Sequence, residues 1–598
     1  DGLAASGRRA FTNLAEFPYP SAEGLHVGHV FKWCGLDVIG RWRRMSGDAV
    51  FQPIGFDSFG INAENYAMSR REHPAAVIER TSRTFRRQLS SVGIGWDWSR
   101  AFATSEPSYY RWTQWIFVKL LNAGLAYQGE APVTWCPGCH TVLAREQTED
   151  GRCERCDTPV TERVLRQWFL SITAYAARLV DGLDSLDWPE SAKAKQRNWI
   201  GLQPDGSMRL HDWLVSRQRF WGAPVPVVHC PGCGVVPVPE NELPVRLPKV
   251  DDPALIVPDG SGKSPLARFP EWVEVGCPSC GATASRDTDV LDTFVDSSWY
   301  FLRYASTDID HAPWSRERTA TTLPVGFYAG GPEHVTRHHL YARFMTMALQ
   351  DMGLVEFDEP FPHMRVGGFV RLGGVKMNKS KGNVITPDEL VATHGGDVVR
   401  VALLFSGRWD VDHDYESNGF VGAERFLTRV WKLVTGPTAK QDAGDAVAHA
   451  IRRVSEQIES LAFNVAIARL MEFVGVLERH GAESAAKRTL VLLLAPFAPY
   501  MAEELWSRLG GPYSVHTQPW PEVDAGTRQR LATAEVSVAI QIDGQVKAKV
   551  PMTGGLQPDA MEAAALEAPA VVEALGGRRV TRVIAVPDRL VNLITEGS

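Results

Sequence analysis

The 598-residue sequence contains no apolar run of the roughly 18–20 residues that a membrane helix requires. It also lacks an excess of positive charge, since its formal net charge is −7, so a nucleic-acid partner would need local basic patches. No apolar core precedes Arg8, which argues against a signal peptide and predicts a cytoplasmic protein with no membrane partner. The composition, 44% hydrophobic and 22% charged, excludes a disordered or fibrous chain.

Cysteine is scarce, at nine residues, but eight of the nine form four Cys-x-x-Cys pairs. Taken two by two, these pairs provide two sets of four thiolates, the donor set of a tetrahedral structural Zn²⁺ site. The first predicted set is Cys136, Cys139, Cys153 and Cys156, and the second is Cys230, Cys233, Cys277 and Cys280. Disulfides or redox dithiols are the alternative, although a cytosolic chain keeps its thiols reduced. The remaining cysteine, Cys34, is interpreted as a small core residue.

The order of the predicted elements indicates a parallel α/β sheet whose domain is split by an insertion. Strands are predicted at 9–17, 49–54, 324–331 and 363–372, and helices at 25–45, 74–92, 109–123 and 334–351. The insertion, rich in Cys, Pro and Gly, contains a predicted helical stretch over 161–199. A helical region follows from about 420, and the tail alternates apolar and polar residues around Asp543-Gly544, a hairpin signal. The predicted domains are 1–128, 129–288, 289–417, 418–533 and 534–598.

The first chemical motif is the segment 17–29, between a predicted strand end and a predicted helix start. Helix N-termini offer unpaired N–H groups and a positive dipole end, which suit a phosphate. His26 and His29 are three residues apart and share one helix face, and Gly28 between them lets a base or a phosphate approach closely. Taken alone, the pattern is also compatible with histidines that are ordinary turn or core residues.

The second motif is the glycine-flanked loop 373–383, which contains Lys376, Lys379 and Lys381 and lies between a predicted strand and a predicted helix. A mobile cationic loop suits phosphoryl or nucleotidyl transfer, because negative charge builds up on the phosphates in the transition state. A solvated surface loop is the alternative interpretation.

In this order, on two halves of a split α/β domain, the two motifs resemble the signature sequences of class I aminoacyl-tRNA synthetases. The resemblance is closest to the leucyl-tRNA synthetase family and runs from about residue 10 to 598. Further segments that carry it are 17–21, 55–60, 63–65, 167–169, 216–222, 296–300, 330–334 and 495–499. It implies an α/β fold with a Rossmann-type catalytic domain split by the zinc-bearing insertion, followed by an α-helical tRNA-binding bundle and a small α+β domain. Members of the family are usually monomers.

The family activates an amino acid with ATP and Mg²⁺ to an aminoacyl-adenylate and transfers the acyl group to the 3′ end of a tRNA. The resemblance implies that the catalytic residues are His26, His29, Lys376 and Lys379. It implies that ATP is bound by these four together with Gly28, Gly330, Gly331, Glu333 and Met377. Asp57 would pair with the α-ammonium group of the amino acid. The rest of the pocket would be Phe17, Tyr19, Phe294, Ser297, Tyr300, His334 and His338, most of which are aromatic walls suited to a branched aliphatic side chain.

Clustered basic residues in the tail suggest contact with tRNA phosphates. The candidates are Lys547, Lys549, Arg578, Arg579, Arg582 and Arg589. A solvated, charged face that binds nothing is the alternative.

The sequence departs from the family pattern in two ways. The large hydrolytic editing domain is missing, because only the short stretch 202–208 separates segments that normally flank it. Near the site, Glu16 stands where the family usually has an apolar Met, Asn62 replaces a usual Pro, and Arg337 and His339 stand where apolar residues are usual. Asn378 replaces the Ser of the lysine loop, and both are small and polar. An unpaired Glu16 in an apolar pocket would be costly, so we expect it to face solvent or a cationic group.

Three functions therefore remain open. The first is an editing-free synthetase that charges leucine or a leucine analogue onto tRNA. The second is a paralogue that binds tRNA or amino acid without charging. The third is an enzyme that forms the adenylate but passes the acyl group to another acceptor. The catalytic set favours the first over the second, and the basic tail argues against the third.

Overall fold

A four-stranded parallel sheet assembled from both halves of the split domain forms the centre of the α/β region. The computed structural model describes residues 7–20, 24–143, 147–377, 383–439, 443–533, 535–586 and 589–596. The strands are β1 (Ala10–Ala15), β2 (Ala49–Phe51), β3 (Phe327–Gly330) and β4 (Met364–Val366), in the order β4-β3-β1-β2. Because β1 pairs with β3, more than 300 residues later, the predicted split α/β domain is confirmed.

Helix α1 (Val27–Met45) follows β1 and packs its apolar face into the core. Gly35 on this helix permits close packing, since a Cβ atom there would lie 2.2 Å from the Trp409 indole nitrogen. The long helix of the second half is α2 (His338–Asp351), which is buried along most of its length. Other helices of the α/β region are Ile61–Arg70, Pro74–Ser91, Pro107–Asn122, Thr293–Ser297, Tyr300–Arg303, Arg316–Thr322, Pro387–His394 and Gly396–Phe405. Among the described residues, no helix combines the length and apolar character needed to cross a bilayer.

The insertion corrects one prediction. The stretch 161–199 is not helical throughout, because Thr161–Leu170 is a strand that pairs antiparallel with Ala126–Cys136 over its full length. Alternating polar and apolar residues in this stretch suit a half-buried strand, and the partner strand supplies the hydrogen bonds. Thr141–Leu143 and Trp213–Leu214 complete this sheet. The predicted helical character is retained after this strand, in the α-helices Ala176–Asp181 and Glu190–Ile200 and in the 3-10 helices Ile172–Tyr175 and Gly182–Ser185.

A second antiparallel sheet carries the second cysteine set. Its strands, in spatial order, are Gly234–Pro237, Val227–Cys230, Thr283–Arg286 and Glu274–Gly276. Shorter elements around it are the helix Pro270–Val273 and the paired strands Ser216–Arg217 and Val290–Leu291. The first cysteine set contains a separate small hairpin, formed by Thr148–Glu149 and Arg152–Cys153. The predicted strand 363–372 is interrupted, so that β4 and Val370–Leu372 belong to different sheets, the latter with Val375–Lys376 and His413–Asp414.

A helical bundle follows, as predicted. Its helices are Gly419–Thr435, Asp445–Glu459, Phe463–His480, Ser484–Leu494, Pro499–Arg508 and Ala525–Thr533. The apolar core is continuous with that around α1. At the junction, the buried Arg400 guanidinium donates to Asp37 Oδ2 (2.8 Å) and to the Pro496 and Phe497 carbonyls of the bundle. Asp37 also accepts from Arg41, so buried charge-assisted hydrogen bonds connect α1 to the bundle.

The tail is a small α+β unit with its own core, as predicted. Its strands, in spatial order, are Gln545–Thr553, Glu535–Ile542, Leu590–Thr595 and Val580–Val586, and its helices are Pro558–Glu567 and Pro569–Leu575. Asp543 (φ 51°) and Gly544 (φ 79°) form the hairpin turn with the positive φ angles that this dipeptide favours.

The buried Arg400–Asp37 pair makes a stability prediction. Arg400→Ala leaves the Asp37 carboxylate buried with less compensation, so we expect the free energy of unfolding to fall by about 3–5 kcal/mol. Urea unfolding followed by circular dichroism measures the change. The matched control is Arg408→Ala, whose side chain pairs with Asp410 at an exposed position (51% and 33% exposed), and it should cost less than about 1 kcal/mol. An equally small loss in the free energy of unfolding in both variants would contradict a structural role for the buried Arg400–Asp37 pair.

Candidate active site

The two histidines of the first motif lie at the N-terminus of α1, next to the carboxyl end of β1. His26 caps the helix, its Nδ1 accepting from the Gly28 N–H at 3.1 Å. The His29 Nδ1 accepts from the His26 N–H at 3.4 Å, and the two rings lie 3.9 Å apart between centroids. Because each Nδ1 accepts, a neutral imidazole carries its proton on Nε2, where it is a donor suited to a phosphate oxygen. A Cβ atom at Gly28 would approach His26 Cε1 to 2.9 Å, so a larger residue there would displace the capping His26 ring.

The lysine loop approaches the same edge of the sheet. Lys376 Nζ lies 3.1 Å from Glu333 Oε1 and 3.7 Å from the centroid of the Phe369 ring. The Val27 N–H donates to the Ile385 carbonyl, which joins the far side of this loop to the start of α1. Met377 is buried in the adjoining core. Lys379 lies outside the described residues, so its role stays a prediction, as does that of Asn378.

Glu333 follows the Gly330-Gly331 pair at the end of β3. His334 and Lys376 hold the pKa of its carboxyl below the usual value, although burial opposes ionisation. The structure therefore brings both histidines, Lys376, Glu333 and the two glycines to one edge of the sheet. In open parallel sheets, ligands bind at this carboxyl edge.

Aromatic rings form the wall predicted for the amino-acid pocket. Phe17 stacks on Tyr300 at 4.1 Å with an interplanar angle of 9°. Tyr19 stacks on His334 at 6.4 Å, and Phe294 meets His334 edge-on at the same separation. Ser297 lies in the same short helix as Phe294 and donates to its carbonyl at 3.4 Å. His338 completes the set beside Tyr300, and burial lowers its pKa well below the usual value, so its ring is neutral at pH 7.

Asp57 is the one fully buried carboxylate among the predicted pocket residues, 1% exposed. Its Oδ1 accepts from the hydroxyls of Thr293 (2.6 Å) and Thr104 (3.4 Å), and the Tyr19 hydroxyl also faces the carboxylate. Its backbone N–H donates to the Pro18 carbonyl, which places it beside the first motif. Burial raises the pKa of Asp57 to about 7, against the hydrogen bond donated by Thr293. A buried carboxylate beside the first motif suits an ammonium group.

Each predicted cysteine set is brought together, with all four Sγ atoms of a set within 4.8 Å of one another. Individual Sγ–Sγ separations are 3.4 Å for Cys136–Cys156 and 3.7 Å for Cys230–Cys280. These lengths are far above the roughly 2.05 Å of a disulfide. They match the separation of about 3.8 Å between thiolates placed tetrahedrally around Zn²⁺ at about 2.3 Å. The remaining cysteine, Cys34, is buried in the core as predicted.

The first cysteine set lies directly against the candidate site. The buried Arg219 donates to the Cys139 carbonyl (2.6 Å) and pairs with Glu64 Oε2 (2.9 Å), which lies on the helix after Asp57. Glu154, between Cys153 and Cys156, pairs with Arg337 Nη1 at 2.5 Å, just before α2. Two residues that depart from the family pattern therefore find partners in this module, since Arg155 Nε also donates to Asn62.

The six basic residues predicted to contact tRNA are all exposed, but they do not form one cluster. Lys547 and Lys549 lie on one edge strand of the tail sheet, and Arg582 lies on the opposite edge strand. Arg578 is engaged within the fold by Asp543 (3.0 Å), and Arg579 lies 3.5 Å from Glu596. The tail therefore offers two separate basic edges, and Arg589 immediately precedes Leu590–Thr595, one of the two inner strands. Their role in tRNA binding remains a prediction.

Some residues of the site were not singled out from the sequence. Thr293 holds Asp57, and Tyr328 on β3 joins the hydroxyl of Tyr300 to His338 Nε2. Neither is marked by a motif, because each acts through a partner from a distant element. Lys32, which binds Glu16 at 3.0 Å, had a signal: it lies three residues after His29 and so shares its helix face.

Family models and curated relatives match this chain over most of its length. Residues 6–412 match the family model for class I tRNA synthetases (I, L, M and V), and residues 445–560 match that for the anticodon-binding domain of tRNA ligases. The leucine–tRNA ligase of Clostridium beijerinckii is 34% identical over 798 aligned positions, covering 99% of this chain and 97% of the relative. The leucine–tRNA ligase of Caldanaerobacter subterraneus is 34% identical, covering 97% and 95%.

Solved structures of tRNA synthetases also match this chain. The LeuRS–tRNA–LeuAMS ternary complex of Agrobacterium radiobacter K84 agnB2 superposes with a TM-score of 0.84 at 30% identity, covering 99% of this chain and 96% of the other. Methionyl-tRNA synthetase of Mycobacterium tuberculosis shares the fold, with a TM-score of 0.61 at 19% identity. The fold and the converging motifs thus define a class I aminoacyl-tRNA synthetase. Within that class, the chain belongs to the leucine–tRNA ligase family.

The raised pKa of Asp57 predicts the pH dependence of amino-acid use. Because only the ionised carboxylate attracts an ammonium group, kcat/KM for the amino acid should fall about tenfold per pH unit below about 7 and level off above it. Asp57→Asn should remove this dependence and lower kcat/KM about 10- to 100-fold. Pyrophosphate exchange measured from pH 5.5 to 8.5 checks both. A pH step that persists in Asp57→Asn would assign the titration to another group.

Proposed function

We propose that this protein activates leucine with ATP and Mg²⁺ to leucyl-adenylate and pyrophosphate, and then transfers the leucyl group to a tRNA. The observation that carries the proposal is the convergence of His26, His29, Lys376 and Glu333 on one sheet edge, next to Asp57. The names of the relatives support leucine and tRNA as substrates. Placement in the cytoplasm and a monomeric state complete the proposal.

Each residue has a defined part in the first step. Asp57 holds the α-ammonium group, and a carboxylate oxygen of leucine attacks the α-phosphorus of ATP while the bond to the β-phosphate oxygen breaks. The Nε2 donors of His26 and His29 stabilise the phosphates, and Lys376 stabilises the departing pyrophosphate. Lys376 is already paired with Glu333 in this structure. To act on the pyrophosphate, its ammonium group must break this ion pair or contact Glu333 and the nucleotide at the same time. We propose the same pyrophosphate role for Lys379.

No hydrolytic domain is inserted where the family usually carries one. The eleven described residues 202–212 connect the helix Glu190–Ile200 and its Gly201 cap to the strand Trp213–Leu214. The alignment with the Clostridium beijerinckii relative spans 798 positions, about 200 more than this chain has residues. Selection among amino acids therefore depends on the synthetic pocket alone, where one methylene is worth only about 1–3 kcal/mol.

We also propose that the two cysteine sets bind structural zinc. Four thiolates leave no open coordination position, so the metal holds the fold rather than the substrate. Zinc at the first set would hold in place the Cys139 carbonyl, which accepts a hydrogen bond from Arg219 beside the proposed pocket.

Leucine-dependent ATP–pyrophosphate exchange tests the activity. We expect exchange with leucine, and we expect Lys376→Ala to lower kcat about 100-fold with little change in KM for leucine, since the lysine acts on the leaving group. Lys263→Ala, an exposed lysine in the insertion, is the matched control and should behave as the unaltered enzyme. Equal loss in both variants would contradict the assigned role of the lysine loop.

Charging of leucine-accepting tRNA separates the alternatives. Exchange with transfer to tRNA supports the proposal. Exchange without tRNA binding would point to an adenylate-forming enzyme with another acceptor. tRNA binding without exchange by any amino acid would point to a non-charging paralogue.

Zinc content tests the metal sites. The purified protein should contain two zinc ions per chain, and Cys153→Ser and Cys277→Ser should each remove one. The Cys153→Ser variant should lose more activity, because its site contacts Arg219 and Arg337. Elemental analysis with the exchange assay measures both, and Cys34→Ser should keep two ions. An unaltered zinc content in either cysteine-set variant would overturn that site.

A further inference from the structure

Glu16 is one of the residues that depart from the family pattern at the site. It follows β1 directly, and its side chain is only 11% exposed. The sequence left open whether it faces solvent or a cation, and the structure resolves this in favour of a cation. Its Oε2 lies 3.0 Å from Lys32 Nζ, while its Oε1 accepts from the Gly331 N–H at 2.6 Å and from His339 Nε2 at 3.1 Å. The surrounding groups, His334, Lys32 and His339, hold the pKa of Glu16 well below its usual value, although burial opposes ionisation.

The Glu16 carboxylate packs against the Gly330-Gly331 turn. A Cβ atom at Gly330 would lie 2.5 Å from His339 Cε1 and 3.4 Å from Glu16 Oε1. A Cβ atom at Gly331 would lie 3.4 Å from Glu16 Oε2. The turn therefore lies close to the Glu16–His339 pair and is held to it by the Gly331 hydrogen bond. The Glu16 backbone N–H also donates to the Ala329 carbonyl, so main chain and side chain hold the same segment.

Lys32 connects this support to the other half of the site. It lies on α1, the helix that begins with His26 and His29. Its aliphatic stem passes Gly367, where a Cβ atom would come within 3.2 Å of Lys32 Cγ. Glu16 thus joins three elements: β1, the turn after β3, and the helix that carries the histidines.

These contacts argue against a role in selecting the amino acid. Three donors from the protein already occupy the Glu16 carboxylate, and they include the nearby ammonium group of Lys32. A cationic substrate side chain would have to displace Lys32 from a largely buried position (15% exposed). The carboxylate therefore serves the protein's own cation, and the pocket remains suited to an apolar side chain.

We propose that Glu16 is a positioning residue for the nucleotide: through Gly331 and Lys32 it sets the distance between the turn that binds the adenosine and the histidines that bind the phosphates. This rests on the proposed function, because that function assigns the nucleotide to Gly330, Gly331 and the two histidines. It differs from a purely structural role in acting on ATP and not on the amino acid or the tRNA.

The test compares KM for ATP with KM for leucine in pyrophosphate exchange. Glu16→Met removes the acceptor for Gly331 and leaves Lys32 unpaired, so KM for ATP should rise about tenfold or more while KM for leucine changes less than twofold. Glu16→Gln keeps an acceptor for the Gly331 N–H and should show a smaller rise. The double variant Glu16→Met/Lys32→Met no longer contains an unpaired buried ammonium group and should recover part of the thermal stability, but not the KM for ATP, because Gly331 still lacks its acceptor.

The matched control is Glu359→Gln. This buried carboxylate pairs with Arg343 on α2 at 2.6 Å, away from the nucleotide turn. It should lower the melting temperature as Glu16→Met does and leave both KM values unchanged. A Glu16→Met variant with both KM values unchanged, or with a larger rise in KM for leucine than for ATP, would overturn the proposal.

Direct titration separates this result from failure of the proposed function. A non-hydrolysable ATP analogue, added to the full-length protein in a calorimeter, should bind about tenfold more weakly to Glu16→Met than to the unaltered chain. If no amino acid supports exchange but this difference is present, the proposed function fails and the role of Glu16 stands. If exchange occurs but analogue affinity is equal in both proteins, the role of Glu16 fails and the proposed function stands.

Discussion

The buried ion pair between Asp37 and Arg400 is the constraint on which the geometry of the site depends. Asp37 lies in the middle of α1, so holding it fixes the helix whose first turn presents His26 and His29. Arg400 comes from a helix before the bundle and also binds the Pro496 carbonyl. Arg41 and Arg400 hold the pKa of Asp37 well below its usual value despite burial. Any shift of the bundle against the sheet must therefore break charge-assisted hydrogen bonds in a dry interior, which is strongly unfavourable.

The same physical rule explains how the site tolerates its unusual polar residues. A buried charge is costly unless it is paired and hydrogen-bonded. Glu16 satisfies this rule through Lys32 and His339, and Arg337 satisfies it through Glu154 of the first cysteine module. The departures are thus coupled to partners elsewhere in the chain. Replacing only one partner with the usual apolar residue would leave a charge unpaired.

Local patterns were sufficient to predict the parts of the fold whose causes are local. The helix α1 and the turn at Asp543-Gly544 follow from spacing and dipeptide preference, and the parallel sheet follows from element order. Thr161–Leu170 was predicted to be helical because its strand form depends on pairing with Ala126–Cys136, which is not visible in the segment itself. The motif residues of the site were recognisable because their spacing is local. The residues that hold them, Thr293 and Tyr328, were not, because they come from elements distant in sequence.

In the amino-acid pocket that we propose, and without an inserted hydrolytic domain, the rigidity of the aromatic wall limits how well substrates are discriminated. Tyr300 stacks on Phe17, and its hydroxyl lies 3.0 Å from the Ala15 carbonyl and 3.1 Å from the Tyr328 hydroxyl. A ring held on its face and at its tip resists displacement, so a side chain that overlaps it is opposed by steric repulsion. Smaller aliphatic side chains meet no such barrier, and they lose only the contacts of the missing methylene, about 1–3 kcal/mol. The pocket should therefore reject larger substrates much more strongly than smaller ones, because rigidity strengthens exclusion but adds nothing to the affinity difference for a side chain that already fits.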